Sequence, residues 1–267
     1  MLMAVKNQIK VIILSVKYNV MRQMVNKVTF ITNILFMILN NATFIIQWLV
    51  LFRLKDEIGG YTIKEVILLW GIAASTFGVA NIVFNGAFKL GDLIINGKLD
   101  TFIVQPKNIF LSVLTSETRI SAIGDLIYGY ICLIIYGVNI ENFLLFTIFS
   151  ITGGIILTAF ISIIQSLSFW IVRGDVIADT LSTAIINFAT YPGKIFKGII
   201  KIILYTIIPV GLANYLPVQT IINFNIMSFL YIILFTVAIV VLAFMVFYKG
   251  LKRYSSSNLM SSRVWCF

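Results

Sequence analysis

Six long apolar stretches dominate this sequence of 267 residues and limit what it can fold into. A helix that crosses the hydrocarbon core of a bilayer needs about 20 mainly apolar residues. The stretches that meet this condition are 28–52, 63–84, 119–138, 143–172, 195–212 and 226–248. Apolar and polar residues do not alternate within them, as they would in the strands of a membrane barrel. The sequence therefore predicts an all-α integral membrane protein with about six transmembrane helices.

Composition excludes several other classes of protein. The chain is 60% hydrophobic and 11% charged, whereas soluble domains are roughly 45–50% apolar and about 25% charged. It contains no His, and Cys132 and Cys266 lie too far apart for a CxxC metal site. The net charge of +10 is explained by basic cytoplasmic loops, so no nucleic-acid partner is expected.

Residues 1–26 precede the first apolar stretch and carry basic residues without any acid. Lys6, Lys10 and Lys17 fall on one helical face, because steps of four and seven residues return to nearly the same angle. Lys17 also interrupts the apolar run that a signal peptide would need. We expect an interfacial helix whose lysines reach anionic lipid headgroups.

Lysine and arginine residues concentrate on one side of the predicted spans. With the N-terminus inside, fourteen of the 20 lie in cytoplasmic segments, whereas Arg53, Lys55 and Lys64 lie outside beside three acidic residues. Cytoplasmic loops carry an excess of Lys and Arg, so both termini are predicted to be cytoplasmic. The segment 85–108 and the tail 249–267 would then lie in the cytoplasm.

The fifth crossing has two interpretations, and Lys194, Lys197 and Lys201 distinguish them. If 175–191 crosses outward, the three lysines lie outside against the charge bias, and 195–212 becomes a re-entrant segment. If 175–191 lies at the interface, the lysines stay inside and 195–212 crosses. The charge pattern and the polarity of 175–191 favour the second version, and both versions keep the C-terminus inside.

The longest hydrophilic segment on the cytoplasmic side, residues 85–108, mixes charges with large apolar side chains. Asn96-Gly97 is a turn signal between two short amphipathic stretches, and Pro106 ends any helix before the third span. A plain solvated loop does not need so many apolar residues. We therefore expect this segment to pack under the spans or to dock a cytoplasmic partner.

Part of this segment resembles a phosphate-binding loop but departs from it at two points. Five residues instead of four separate Gly91 from Gly97-Lys98, and Leu99 replaces the Ser or Thr that would hold magnesium. We therefore expect no nucleotide to bind the chain by this route.

Polar residues inside the predicted spans give one candidate for a transport pathway, Asp125 in the third span. An intramembrane carboxylate is a functional hypothesis by default, although a carboxylate bonded to a neighbouring helix is the simpler explanation. Asn33, Asn40, Asn41 and Gln47 in the first span are typical of hydrogen bonds between helices. Gly71-x-x-x-Ser75 in the second span allows close helix packing.

Catalysis and ion coupling have little support in the sequence. The chain has no His, no paired carboxylates at a membrane interface and no nucleophile motif, so a lipid-modifying membrane enzyme is not favoured. The spans lack a relay of acids, which argues against an ion-coupled secondary carrier. A structural or assembly protein is a further alternative.

Three segments together resemble the membrane subunits of type-2 ATP-binding-cassette exporters, the ABC-2 family. They are IINGKLDTFIVQP at 94–106, WIVRGD at 170–175, and the region 188–217. This last region contains the proline motifs Tyr191-Pro192, Ile208-Pro209 and Tyr215-Leu216-Pro217. Their order and spacing are most similar to the bacterial six-span permeases that often occur as two permeases together. The resemblance covers nearly the whole chain.

The resemblance implies a single permease domain over 1–267 that binds no cofactor, because a separate ATPase subunit binds ATP. Residues that match the ATPase-coupling region are Gly97, Lys98, Leu99, Asp100 and Pro106, with Arg173 and Asp175 at a second contact. A second permease, in a homodimer or a paired heterodimer, and a bacterial plasma membrane are also implied. The expected function is export of a hydrophobic or amphiphilic substrate. In better-known relatives the fifth span follows the basic-acidic turn directly, which conflicts with the charge count above.

Overall fold

The computed structural model describes residues 2–171 and 173–255, with side chains from residue 6 onward, and the regular structure in these ranges is helical apart from one bridge between Ile58 and Tyr61. Its helices are α1 (Leu2–Gln23), α2 (Lys27–Phe52), α3 (Ile63–Val83), α4 (Leu90–Ile95), α5 (Asp100–Ile103), α6 (Ile109–Leu114), α7 (Ser121–Tyr136), α8 (Ile140–Gln165), α9 (Gly174–Ala189), α10 (Gly198–Thr206), α11 (Leu216–Ile222) and α12 (Ile226–Leu251). Short turns cover Asn85–Lys89, Ser166–Phe169, Gly193–Ile195 and Gly211–Tyr215. Cys266 and residues 256–267 of the predicted tail lie outside the described residues.

Polar caps set where the long helices begin. The side-chain oxygens of Asn26, Asn139 and Asn225 accept hydrogen bonds from the first-turn amides of α2, α8 and α12. At the start of α3, Glu65 accepts a hydrogen bond of 2.7 Å from the Thr62 amide. Such caps satisfy amides that have no partner within the helix, so each apolar stretch starts at a defined residue.

In the part of the chain that the structure describes, four helical segments are long and apolar enough to cross a membrane. They are α2, α3, Ile140–Phe169 and α12. The third predicted span, 119–138, forms α7 with 16 residues, about 24 Å at 1.5 Å per residue. That length is less than the roughly 30 Å of a hydrocarbon core, so α7 crosses only with help from its flanking residues.

We call the end of the bundle that carries residues 85–118 the loop end, and the end that carries the α2–α3 loop (53–62) the far end. Helix α9 runs from one to the other. Gly174 at its start packs against Ser168, just after α8 reaches the loop end. Beyond its last turn, Lys194 donates a hydrogen bond of 3.2 Å to the Gly60 carbonyl at the far end. Helix α9 is therefore the fifth passage between the two ends of the bundle, although its 16 residues make it shorter than the four segments above.

The segment that follows α9 leaves the far end and returns to it. A cavity of about 400 Å³ there is lined by Tyr61, by Lys194 before α10, and by Asn223 and Asn225 after α11. Helices α10 and α11 are bent by 77° around Pro209, which cannot continue a helix. Residues 195–212 are thus re-entrant, and the favoured prediction that they cross was wrong. It failed because the polar side chains of α9 face a groove instead of lipid.

Close approach of α3 and α7 forms the centre of the bundle. A Cβ atom added to Gly129 would lie 2.7 Å from the Gly71 carbonyl oxygen and would also overlap Ser75. Only a glycine at this position permits the contact, as the small residues of the second span predicted. Helices α3 and α8 are buried along most of their length, whereas α2 and α12 expose mostly apolar side chains, as lipid contact requires.

Helix α1 lies at the loop end. Near its last turn, Asn19 donates hydrogen bonds of 3.3 and 3.1 Å to the Thr115 and Ser116 carbonyls, and Gln23 donates one of 2.7 Å to Thr118. Lys6, Lys10 and Lys17 are exposed. The helix is thereby attached to the bundle near its last turn and presents its basic residues to the surroundings.

Candidate functional site

Two adjoining cavities form a groove between α2 and α9, with α3 and α7 as its floor. The loop-end chamber has a volume of about 690 Å³ and the mid-bundle chamber about 300 Å³. Both are lined by Phe77, Asn81, Arg119 and Ile186, so the chambers adjoin each other. The groove extends from the loop end towards the last turn of α9.

The loop-end chamber is polar and its acids have partners. Lys89 forms a salt bridge of 2.6 Å with Glu117, and the Asp179 carboxylate accepts a hydrogen bond of 3.2 Å from the Gln165 amide. The Arg119 guanidinium donates a hydrogen bond of 3.0 Å to Ser121. The wall that α9 contributes also carries Ser182 and Thr183, which explains why this helix is more polar than an ordinary span.

The mid-bundle chamber combines amides, aromatic rings and one carboxylate. Asn41 of α2 donates a hydrogen bond of 2.7 Å to Asp125 of α7, and both side chains are buried. The rings of Phe44 and Trp70 stack with centroids 5.0 Å apart. Asp125 thus bonds a neighbouring helix, as the simpler explanation predicted, and it also lines the chamber.

At the far end of the groove, residues that follow α9 contact α2 and the α2–α3 loop. The Trp48 ring meets the Tyr191 ring edge-on at a centroid distance of 6.1 Å. Lys194, besides its bond to Gly60, lies 5.1 Å from the centre of the Tyr61 ring. Burial raises the pKa of Tyr61, so the phenol stays neutral and Lys194 meets it through a cation–π contact instead of an ion pair.

At the loop end, the first predicted coupling residues occupy different environments. Gly97 has φ +67°, which suits the predicted turn, and Lys98 and Pro106 are exposed. Leu99 is fully buried, so it anchors the segment in the bundle instead of facing outward. Asp100 is half-buried.

Asp100 is connected to the end of α12. The Tyr254 hydroxyl interacts with Asp100, and burial together with this neighbouring carboxylate raises the pKa of Tyr254 to about 12. The Tyr254 ring also meets Phe169 edge-on, at a centroid distance of 6.3 Å. The end of α12 therefore joins the predicted coupling segment to the turn after α8.

The second predicted contact lies next to the first. Arg173 is exposed and adopts φ +67° just before α9. The Cβ atom of Asp175 lies 3.2 Å from the position of a Cβ atom added to Gly91. The structure thus brings Asp175 and α4 together, although 84 residues separate Gly91 from Asp175 in the sequence.

The sequence did not predict a role for one residue of this region. Gln165, the last residue of α8, accepts a hydrogen bond of 3.0 Å from the Gly91 amide and donates one of 3.0 Å to the Phe88 carbonyl, in addition to its bond to Asp179. It connects the segment 85–108 to both α8 and α9. The sequence feature that could have identified Gln165 is a single glutamine at the end of a largely apolar span.

An apolar surface is exposed beside these residues. Ile95, Ile103 and Val104 have exposed fractions of 36%, 40% and 81%. They lie in the segment that was predicted to dock a partner, and Lys98 and Lys107 are exposed near them in the chain. In the described ranges no group of three or more His, Cys, Asp or Glu side chains is placed to hold a metal ion.

A comparison with known families covers almost the whole chain. Residues 11–258 match the family described as ABC-2 family transporter protein. The chain belongs to the ABC-2 transporter family. This confirms the resemblance and the prediction of an all-α membrane protein. Neither curated proteins nor solved structures gave a match.

Membership assigns the chain to a class of transport component. ABC-2 proteins are the membrane parts of ATP-binding-cassette transporters and are generally not catalytic themselves, and the family implies partnership with an ATPase. The apolar helices and the family together identify a multi-pass membrane protein.

Proposed function

We propose that this chain is the permease subunit of an ATP-binding-cassette exporter that moves a hydrophobic or amphiphilic substrate. The observation that carries the proposal is the groove between α2 and α9, whose two adjoining chambers extend from the loop end towards the far end. Its lining mixes amides and hydroxyls with the rings of Phe44, Trp70 and Phe77. Such a surface suits a molecule with a polar part and an apolar part.

The energy comes from a separate ATPase subunit that docks at the loop end, so the permease binds no cofactor of its own. The docking surface comprises the exposed residues of 85–108, with Arg173 and Asp175 beside them. Both termini and this surface lie in the cytoplasm of a bacterial cell. A second permease, identical or paired, completes the transporter, and no nucleic acid takes part.

Movement is passed from the docking surface to the groove through Gln165. A shift of α4 on ATP binding acts on Gln165 through Gly91, and Gln165 in turn contacts α9 through Asp179. Displacement of α9 would separate Tyr191 from Trp48 and Lys194 from Gly60. The groove then opens at the far end and releases the substrate outside.

Reconstitution with the cognate ATPase tests this function. The ATPase should co-purify with the permease, and transport into inverted vesicles should require ATP hydrolysis. Asp100→Ala and Pro106→Ala should impair ATP-coupled transport while leaving membrane insertion intact. Transport that persists without ATP and collapses with the proton or sodium gradient would instead identify an ion-coupled secondary carrier.

A further inference from the structure

The mid-bundle chamber contains one acid whose charge has no ionic partner among the described residues. Asp125 receives a single hydrogen bond, from the neutral Asn41 amide. The salt bridges in the described part of the chain are Lys89–Glu117 and Lys98–Asp92, and neither involves this carboxylate. A carboxylate can accept about four hydrogen bonds, and Asn41 accounts for one of them.

The surroundings of Asp125 suit a positively charged organic group. Phe44, Trp70 and Phe77 line the same chamber, and aromatic rings attract ammonium groups through their negatively charged faces. Asn40 and Asn187 add neutral hydrogen-bonding groups on opposite walls. A chamber of about 300 Å³ is at the lower end of the range for small-molecule sites.

Among the described residues, Arg119 is the cation that lines the chamber, and it lies at the boundary with the loop-end chamber. Arg119 is shared with the loop-end chamber and donates its hydrogen bond to Ser121. It lies before α7 begins, and neither of the salt bridges in the described part of the chain joins it to Asp125. Its charge therefore weakens the attraction for a cation without occupying the carboxylate.

We propose that the mid-bundle chamber is a binding subsite for the ammonium or other cationic group of an amphiphilic substrate, held by Asp125 and the aromatic lining. Because the subsite is assigned to the substrate of the exporter described above, it rests on that proposed function. A charged residue inside a membrane needs a partner, and here the substrate supplies it.

Binding of two small aromatic ions of opposite charge tests the subsite without the ATPase. The purified full-length permease in lipid nanodiscs is titrated with benzyltriethylammonium and with benzenesulfonate, and binding is followed by calorimetry. Saturable binding of the cation, about tenfold or more tighter than that of the anion, is expected from charge attraction and cation–π contact. Equal affinities, tighter binding of the anion, or no saturable binding of the cation would overturn the subsite.

Variants locate the charge responsible. Asp125→Asn should weaken cation binding about tenfold because it removes the charge attraction, whereas Glu141→Gln, which removes an exposed acid at the start of α8, should leave it unchanged. Arg119→Gln should strengthen cation binding because it removes a like charge. Cation binding that is the same in wild type and Asp125→Asn would refute the assignment. If that variant does not fold, the comparison of the two ions and Arg119→Gln still decide.

These measurements are independent of ATP-driven transport. Loss of the subsite would leave ATP dependence intact, and failure of ATP dependence in the reconstituted transporter would leave the binding result intact.

Discussion

The Gly91 amide donates a hydrogen bond of 3.0 Å to the side chain of Gln165, and this contact joins the segment 85–108 to the membrane helices. The glycine is required because an added Cβ atom would overlap the Gln165 oxygen. The same glutamine bonds Asp179 on α9. One side chain therefore contacts the docking segment, the end of α8 and a wall of the groove.

Replacement of Gln165 by Leu should uncouple the docking segment from the groove. It leaves the buried Gly91 amide without a partner, which costs about 1–3 kcal/mol of stability. We expect a lower thermal midpoint in nanodiscs and a loss of ATP-driven transport greater than the loss of ATPase binding. Gln47→Leu, at an exposed position of α2, is the control. Transport by Gln165→Leu equal to that of wild type would show that this contact transmits nothing.

Replacement of Val104 by Asp should weaken ATPase binding. This side chain is 81% exposed, so the permease itself should keep its stability to within about 0.5 kcal/mol. A charge in an apolar docking surface costs desolvation energy, and we expect at least a severalfold drop in co-purified ATPase. Val138→Asp, at an exposed position on the far end, should have no such effect. The docking surface would have to lie elsewhere if both variants retained the ATPase equally.

Replacement of Lys194 by Ala should loosen the closure at the far end. The substitution removes a hydrogen bond and a cation–π contact, each contributing about 0.5–1 kcal/mol. The rate is measured with Asn187→Cys in a background with Cys132→Ser and Cys266→Ser. With Lys194→Ala added, this cysteine should react with a membrane-impermeant thiol reagent added outside about five to ten times faster than with Lys194 retained. Lys197→Ala, which changes an exposed neighbouring lysine, should leave the rate unchanged. Equal rates in both variants would contradict the closure.

Replacement of Gly129 by Val should prevent α3 and α7 from packing. The new side chain would overlap Ser75 and the Gly71 carbonyl, and overpacking of this kind costs about 1–3 kcal/mol or more. We expect little monodisperse protein in gel filtration. Ile134→Phe adds bulk to an exposed position of the same helix and should be tolerated. A well-folded Gly129→Val protein would show that the two backbones are not in close contact.

Local sequence patterns were sufficient to predict the membrane class, the positions of the long helices and the close packing at Gly71 and Ser75. They were sufficient because apolar length and small-residue spacing are properties of single segments. The fifth crossing was predicted wrongly, since the polarity of α9 depends on what faces it. Thr183 and Asn187 would be costly against lipid but are favourable against a polar groove.

The candidate site could be predicted only in part. Asp125 was identified because a charge inside a span is unusual in any fold. Its partner Asn41 was indicated only as an interhelical residue, and Gln165 was missed because its contacts join segments 74 residues apart. Leu99 belongs to a matching motif, yet its burial could be known only from the packing of the segment around it.

Helices α10 and α11 leave the far end of the bundle and return to it. The pair adds no net passage, so α2, α3, α7, α8, α9 and α12 make an even number of passages between the two ends. The first and last described parts of the chain must then lie at the same end of the bundle. The contacts of Gln23 with Thr118 and of Tyr254 with Asp100 place both at the loop end. Any protein that binds there meets a surface assembled from opposite extremes of the sequence.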